Sequence, residues 1–195
     1  MEIQNIWAVG RNYQEHAKEL GNSVPKDPII FLKAASCIVT EERAIVLPAF
    51  SKDIHHEVEI AIQLDHRLQP SRMTLAIDFT ARDIQNQLKS GGLPWTLAKS
   101  FKDACALGQW VDIADVDNLT FSLKVNGEIR QQGHTKDMFF SVDKIIDYLK
   151  NHFPLTPGDI ILTGTPSGVA RVQAGDILDA EIPGKLKAHW SIKRA

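Results

Sequence analysis

The stretch HHEVEIAIQL, residues 55–64, decides the fold. Apolar and polar side chains alternate in it with the period of two that is typical of a β-strand, and Glu57 and Glu59 share the polar face. Side chains two residues apart on one face lie about 6.5–7 Å apart, so these carboxylates can approach one point. Two such anions repel each other, and a hard divalent cation prefers carboxylate ligands. The stretch therefore predicts a strand whose acidic face is either solvated or a metal site.

Composition places the chain among soluble globular proteins. Its 195 residues are 44% hydrophobic and 24% charged, with a net charge of −2, which suits one domain with a sizeable core. The absence of a basic cluster argues against nucleic-acid and anionic-membrane partners. No apolar run approaches the ~20 residues of a membrane span, and the N-terminus does not resemble a signal peptide. Cys37 and Cys105 lack metal or redox spacing and indicate reduced thiols in a cytoplasmic protein.

Short strands and a few short helices are expected along the chain. An Asn-Gly pair at residues 126–127 between alternating segments predicts a β-hairpin. Ser141 is expected to cap a helix with apolar residues at a spacing of 3.6. The strands at 37–40 and 44–47 are expected to pair with each other through an acidic turn. Further strands are predicted at residues 3–9, 29–32, 73–79, 121–125, 128–130 and 160–162 and within 173–182, and further helices at residues 11–20 and about 82–89.

The first predicted helix brings His16 and Glu19 together one turn apart. A carboxylate beside an imidazole orients the ring and stabilises its protonated form, an arrangement that suits a general base. The alternative is a surface pair without a role, because such pairs are common and weak. Residues 11–24 carry few apolar anchors and are expected to form a mobile lid.

Asp78 lies at the end of a predicted strand, just before a helix that starts with a capping-box pattern at residues 80–83. A side chain at this position can enter a functional site, although a turn aspartate is the simpler interpretation. Arg82 and Gln85 are three residues apart on the helix and can reach the same cavity.

Two lysines and one turn complete the candidate residues. Lys33 ends a buried strand and is either a cation of the site or a side chain that extends to water. Lys99 lies in an irregular segment, residues 93–101, that mixes aromatic residues with a proline. The turn at residues 163–168 is rich in glycine and hydroxyl groups, so its backbone N–H groups can face an anion.

Taken together, these segments resemble the fumarylacetoacetate hydrolase family. The resemblance spans most of the chain, in the family's order, although the tail at residues 182–186 lacks the usual Gly-x-Gly ending and leaves the final strand open. It rests on Gly10-Arg11-Asn12-Tyr13 with His16 and Glu19, Phe31-Leu32-Lys33, His56-Glu57-Val58-Glu59, Asp78 to Asp83 with Gln85, Trp95 to Phe101, and Gly158 to Pro166.

The resemblance implies an α+β fold, mostly β: a mixed β-sheet roll with a few short helices, forming a single catalytic domain over residues 1–195 and usually a homodimer. It implies that Glu57, Glu59 and Asp78 bind Mg²⁺ or Mn²⁺. It also implies that His16 and Glu19 lie on a lid that orders over bound ligand. The residues that match the remaining catalytic and substrate-binding positions are Lys33, Arg82, Gln85, Lys99, Gly164 and Thr165.

The function expected from these residues is metal-dependent hydrolysis of a C–C bond in a 2,4-diketo acid such as an acylpyruvate. His16, oriented by Glu19, would take a proton from water, and Lys99 would stabilise the oxyanion. One alternative uses the same metal for decarboxylation or keto–enol tautomerisation of oxaloacetate, for which no attacking water is needed. Isomerisation or decarboxylation of a dienedioate and a non-catalytic binding module are further alternatives.

Overall fold

A computed structural model describes residues 2–15, 25–113 and 115–194. Within them the chain is mostly β with few helices, as the sequence predicts. The helices are α1 (Arg82–Ser90), α2 (Thr96–Lys99) and α3 (Val142–His152), with 3₁₀ turns at Ala35–Cys37 and Thr135–Asp137. The strands are β1 (Asn5–Gly10), β2 (Ile29–Ala34), β3 (Ile38–Thr40), β4 (Ile45–Leu47), β5 (Ile54–His56), β6 (Val58–Leu64), β7 (Pro70–Asp78), β8 (Thr80–Ala81), β9 (Cys105–Leu107), β10 (Val111–Asp112), β11 (Thr120–Val125), β12 (Glu128–His134), β13 (Ile160–Leu162), β14 (Ala170–Arg171), β15 (Ile177–Ile182) and β16 (Leu186–Arg194).

The largest sheet curls into a roll. Its strand order is β2-β1-β13-β6-β7-β9-β3, with β10 paired to β7. Strands β2 and β3 lie at opposite ends of this order, yet only residues 35–37 separate them in the chain. Such a connection spans at most about 15 Å, so the two ends of the sheet must lie close together. Parallel pairs, β1 with β13 and β3 with β9, occur beside antiparallel ones, so the sheet is the expected mixed roll.

The pairing predicted between residues 37–40 and 44–47 is wrong. Both segments form strands, but β3 pairs with β9 in the large sheet, whereas β4 pairs with β16 in a second sheet of order β12-β11-β15-β16-β4. The acidic turn between them therefore crosses from one sheet to another. Strand β16 also resolves the open question of a final strand, because it pairs with β15 and β4 and buries Trp190.

The stretch at residues 55–64 forms two strands that belong to different sheets. Strand β6 pairs with β7 and β13 in the large sheet, and β5 pairs with β8 and β14 in a small third sheet. The change of sheet occurs at Glu57. The segment paired with β6 changes sheet in the same way at Phe79, between β7 and β8. The two paired segments thus leave the large sheet side by side, and Glu57 and Asp78 lie where they do so.

Local signals for turns and caps are confirmed at two places. Asn126 and Gly127 have φ values of 53° and 84°, as a two-residue turn of the hairpin β11–β12 requires. Ser141 caps α3, since its hydroxyl accepts a hydrogen bond from the Lys144 amide at 3.4 Å. The apolar residues of α3 that reach the core are Val142, Ile145, Ile146 and Leu149.

The capping box predicted at residues 80–83 is wrong. Ala81 precedes α1 and offers no side-chain cap. The Asp83 carboxylate instead accepts hydrogen bonds from the Ser51 hydroxyl at 2.6 Å and the Lys52 amide at 3.1 Å. Asp83 thereby ties α1 to the loop before β5.

Both faces of β6 are buried, from Val58 to Leu64. The polar face is therefore not a solvated surface, and its carboxylates need partners from within the protein or from a bound ion. None of the helices in the described ranges has the length and apolar character that a membrane crossing requires.

Candidate functional site

Sheet register brings three carboxylates to one face. Glu59 lies opposite Ala76 in the β6–β7 ladder, so Asp78, two residues further along β7, shares the face of Glu59. Glu57 occupies the same face, two residues before Glu59, and its carbonyl accepts a hydrogen bond from the Asp78 amide at 2.8 Å. One carboxylate oxygen of each acid lies within 4.8 Å of the others. The expectation that these oxygens converge is therefore met by the geometry.

Three cationic side chains surround this triad. The Lys99 ammonium, at the end of α2, donates to Glu57 Oε2 and to Asp78 Oδ2 at 2.7 Å each. Lys33 donates from β2 to Asp78 Oδ1 at 2.7 Å and also contacts the Lys99 carbonyl oxygen. Arg82, at the start of α1, pairs with Glu57. Each cation is nearly buried, so burial of the acids is balanced by charge from three different elements.

Glu59 differs from the other two acids. It is 2% exposed, and no ammonium or guanidinium of the described residues lies within ion-pair distance of it. Its Oε2 accepts a hydrogen bond from the Gly164 amide at 2.6 Å. Burial, reinforced by the charges of Asp78 and Glu57, raises the pKa of Glu59 well above its ordinary value. A negative charge on Glu59 therefore lacks adequate compensation.

This donor set fits a hard divalent cation. Carboxylate oxygens are the ligands that Mg²⁺ and Mn²⁺ prefer, and the three acids are close enough to share one ion. A cation beside Glu59 would offset both the burial and the repulsion that raise its pKa. Glu57, Glu59 and Asp78 are thus the residues that could hold the metal.

The triad lines a small cleft. The same cleft is lined by Arg82, Gln85, Lys99 and Thr165, whose roles towards a substrate stay predictions. The Arg82 guanidinium donates to Gln85 Oε1 at 2.7 Å, which fixes these two side chains relative to each other. The Thr165 hydroxyl already donates to the Val58 carbonyl oxygen at 2.8 Å.

Two predicted residues lie beside the cleft rather than in its lining. Lys33 is 1% exposed and contacts Asp78 from behind, so it orients a carboxylate. The Gly164 amide faces Glu59, so the anion that the turn at residues 163–168 binds is a side chain of the protein itself. Gly164 has φ = 99°, and a Cβ there would come within 2.7 Å of Asn12 Cβ. Glycine is therefore required at this position.

The predicted base His16 and its partner Glu19 lie outside the described residues, as does most of the expected lid. Asn12, at the start of the predicted lid, is fully buried and donates to the Thr163 carbonyl oxygen at 2.8 Å. Tyr13 is buried as well. A moving segment can therefore begin only after these two residues.

Two cations and two aromatic rings of the cleft were not predicted as site residues. Lys89 lies over the Trp95 ring at 5.1 Å, and the Lys99 ammonium lies over the Phe31 ring at 5.0 Å. Arg11 enters the same cleft from the end of β1. A signal for Lys89 existed, because it follows Arg82 by seven positions and therefore shares its helix face with Gln85.

Lys89 is a cation in positive surroundings. Partial burial, followed by the charges of Arg11, Arg82 and Lys99, lowers the pKa of Lys89 to about 8. The part of the cleft around Lys89 is therefore electropositive and attracts anions.

Comparison with known proteins agrees with this geometry. The model of the fumarylacetoacetate (FAA) hydrolase C-terminal family matches residues 5–190. The oxaloacetate tautomerase FAHD1, mitochondrial, of Bos taurus is 40% identical over 204 aligned positions, covering 98% of this chain and 92% of the relative.

Solved structures show the same fold. A fumarylacetoacetate hydrolase family protein from Yersinia pestis CO92 is similar with a TM-score of 0.93 at 33% identity, covering 98% of this chain and 94% of the other. A fumarylpyruvate hydrolase from Pseudomonas aeruginosa, solved in complex with Mn²⁺ and pyruvate, is similar with a TM-score of 0.91 at 27% identity, covering 99% and 91%. The chain therefore belongs to the fumarylacetoacetate hydrolase family.

Proposed function

We propose that the chain is a metal-dependent enzyme that interconverts the keto and enol forms of oxaloacetate. The observation that carries this proposal is the position of the Lys99 ammonium beside three convergent carboxylates in a small cleft. The similarity to oxaloacetate tautomerases supports the choice of substrate. Tautomerisation breaks the C3–H bond and forms an O–H bond at the C2 oxygen without consuming water. The site needs to stabilise the enolate while C3 loses its proton to solvent and the C2 oxygen gains one from solvent.

The residues divide this task between them. Mg²⁺ or Mn²⁺, when bound by Glu57, Glu59 and Asp78, supplies Lewis-acid stabilisation to an enolate oxygen. Lys99 is 3% exposed, and its contacts with two carboxylates and the Phe31 ring hold its ammonium in place. A hydrogen-bond donor fixed in this way stabilises developing negative charge without reorganising.

Arg82 and Gln85 serve to orient the substrate. Their mutual hydrogen bond and the pairing of Arg82 with Glu57 fix them at the edge of the triad. The bound keto acid is thereby held with its C2 oxygen towards Lys99.

The test is a tautomerisation assay on Mn²⁺-loaded protein, in which the ultraviolet absorbance of the oxaloacetate enol is followed. Lys99→Met is expected to lower kcat about 100-fold, because it removes a positioned donor. Lys150→Met is the matched control, since Lys150 is an exposed lysine in the last turn of α3. A rate no faster than that of free Mn²⁺ in buffer would refute the proposal.

Hydrolysis of a 2,4-diketo acid is the second candidate, supported by the similarity to a fumarylpyruvate hydrolase. This reaction needs a base for water, the role predicted for His16 with Glu19. His16→Ala is expected to abolish hydrolysis of acetylpyruvate while the tautomerisation of oxaloacetate persists. Assays of both substrates side by side separate the two functions. A dienedioate added to the same panel tests the isomerase and decarboxylase alternative.

A non-catalytic binding module is tested by titration calorimetry with Mg²⁺ and oxalate, a mimic of the enolate.

The single domain over residues 1–195, the homodimer and the cytoplasmic location stay predictions. The FAHD1 relative carries the word mitochondrial in its name. Light scattering of the purified protein tests the dimer.

A further inference from the structure

The cations around the acidic triad are already paired with its carboxylates. Lys33, Lys99 and Arg82 make ion pairs with Glu57 or Asp78, so three cations face three acids. A divalent ion added to this cluster gives it a net charge of about +2 if all three acids are ionised. A bound substrate is therefore favoured when it brings two negative charges.

Lys89 and Arg11 differ from these three cations. Both line the cleft, and neither forms an ion pair with an acid in the described ranges. Lys89 lies in the last turn of α1, half-buried, with its ammonium over the Trp95 ring. Arg11 follows β1, lines the cleft and has φ = 60°, a left-handed conformation.

The rings of Phe31 and Trp95 form an aromatic wall of the cleft, and a lysine ammonium lies over each ring. The two rings are in contact, with centroids 5.8 Å apart. The Lys99 ammonium lies over Phe31 and the Lys89 ammonium lies over Trp95. The ammonium over Phe31, that of Lys99, is neutralised by the triad, whereas the ammonium over Trp95 has no carboxylate partner among the described residues. The two neighbouring positions thus serve different anions.

We propose that Lys89, assisted by Arg11, binds the second carboxylate of the substrate and makes the chain selective for dicarboxylic keto acids over monocarboxylic ones. The keto-acid head of the ligand lies at the triad, and the distal carboxylate lies over the Trp95 end of the wall. The partly desolvated position strengthens such an ion pair relative to one on the surface. This assignment rests on the proposed function only for the location of the keto-acid head.

The experiment measures binding, so it does not depend on turnover. Mn²⁺-loaded protein is titrated calorimetrically with L-malate and with L-lactate, which share a 2-hydroxy acid head and differ by the distal carboxylate. Wild type is expected to prefer malate by at least about tenfold, as a charged hydrogen bond of ordinary strength provides. Lys89→Met is expected to remove most of this preference while lactate affinity stays unchanged.

Two further variants make the result specific. Lys89→Arg keeps the positive charge and is expected to retain the malate preference. If Lys89→Met lost the preference through misfolding rather than through loss of charge, Lys89→Arg would not be expected to differ from it in this way. Arg11→Asn removes the second cation and suits the left-handed backbone, so it is expected to lower the preference about threefold. Lys150→Met controls for loss of a lysine at a helix C-terminus and is expected to match wild type.

Several outcomes would overturn the proposal. Wild type could bind malate and lactate equally, or Lys89→Met could weaken both ligands by the same factor. A malate preference that persists in Lys89→Met would place the distal carboxylate elsewhere. A failure of the tautomerase assay together with an intact, Lys89-dependent malate preference would refute the proposed reaction and leave this subsite standing.

Discussion

Strand β13 separates two buried carboxylates whose surroundings are opposite. Asp159, just before the strand, accepts hydrogen bonds from the Asn5 amide and side chain at 3.0 Å, from Trp7 Nε1 at 2.8 Å and from the Thr156 hydroxyl at 2.8 Å. Glu59, beside the turn that follows the strand, faces two other acids and receives the Gly164 amide. Both carboxylates are almost fully buried.

The difference separates a structural carboxylate from one prepared for a ligand. Neutral donors that satisfy every lone pair make Asp159 a permanent link between β1 and the turn before β13. Glu59 is left with repulsive neighbours, a state that costs stability until a cation arrives. Burial by itself therefore does not distinguish the two roles, whereas the chemical nature of the partners does.

The largest expected effect is on metal affinity. Glu59→Gln is expected to weaken Mn²⁺ binding at least about 100-fold, because even outer-shell changes cost 10–100-fold. Asp159→Asn is expected to leave Mn²⁺ affinity within about twofold. Titration calorimetry measures both. Equal affinities for Glu59→Gln and wild type would remove Glu59 from the metal site.

For stability the order of the two variants is expected to be reversed, with Asp159→Asn showing the larger loss. Asp159→Asn replaces an acceptor of several hydrogen bonds with a group that is partly a donor, and is expected to lower the free energy of unfolding by about 2–3 kcal/mol. Glu59→Gln is expected to leave it unchanged or raised in metal-free protein, since a repulsive charge is lost. Urea denaturation in the presence of a chelator measures both values. Destabilisation of both variants by the same amount would contradict the contrast.

Backbone substitution next to Glu59 tests how tightly the turn is adjusted to it. Gly164 and Gly175 have φ values of 99° and 96°, but only a Cβ at Gly164 meets a neighbour, Asn12, within 4 Å. Gly164→Ala is expected to be about 1–2 kcal/mol more destabilising than Gly175→Ala, because overpacking adds to the strain that both share. Thermal and urea unfolding measure the difference, and equal losses would show that φ strain alone decides.

The smallest expected effect is a pH dependence of stability without metal. The pKa of Glu59 is raised on folding, so between the ordinary value for glutamic acid and the folded value the folded state binds more protons than the unfolded state. The contribution of Glu59 to the free energy of unfolding therefore falls as pH rises through this window.

Urea denaturation of wild type and Glu59→Gln from pH 5 to pH 8 measures this contribution. Wild type is expected to lose stability relative to the variant as pH rises, and saturating Mn²⁺ is expected to reverse the order by binding the folded state. Parallel stability curves for the two proteins in chelator would contradict the assignment of an uncompensated charge to Glu59.

Local patterns predicted much of this molecule. The Asn-Gly turn and the Ser141 cap each report an interaction between residues close in sequence, and both are present in the structure. The alternation in residues 55–64 correctly predicts extended backbone, but the single strand expected there divides at Glu57 into β5 and β6. Local patterns failed for β3 and β4, since a turn signal does not reveal which strand a segment will pair with. The pattern at residues 80–83 likewise did not show that Ser51 would bind Asp83.

The site was predictable as a set of chemical types but not as a geometry. Glu57 and Glu59 were predicted from the alternation within a strand, Asp78 from its position at a strand end, and Lys99 from an irregular segment that matches the family. Lys89 shares a helix face with Arg82 and Gln85 but was missed, because the sequence does not show that the Trp95 ring lies beneath its ammonium.

The sequence by itself determined the strand periodicity, the hairpin and the supply of hard oxygen ligands. Only the tertiary structure decided that Lys33 and Lys99 meet at Asp78, that Gly164 faces Glu59, and that Lys89 lies near other cations in the cleft. Gly164 meets Glu59 because β13 and β6 are neighbouring strands, although the two residues are 105 positions apart. Lys33 on β2 meets Asp78 on β7 because the large sheet curls into a roll. Periodicity extends over one element and cannot report contacts between elements.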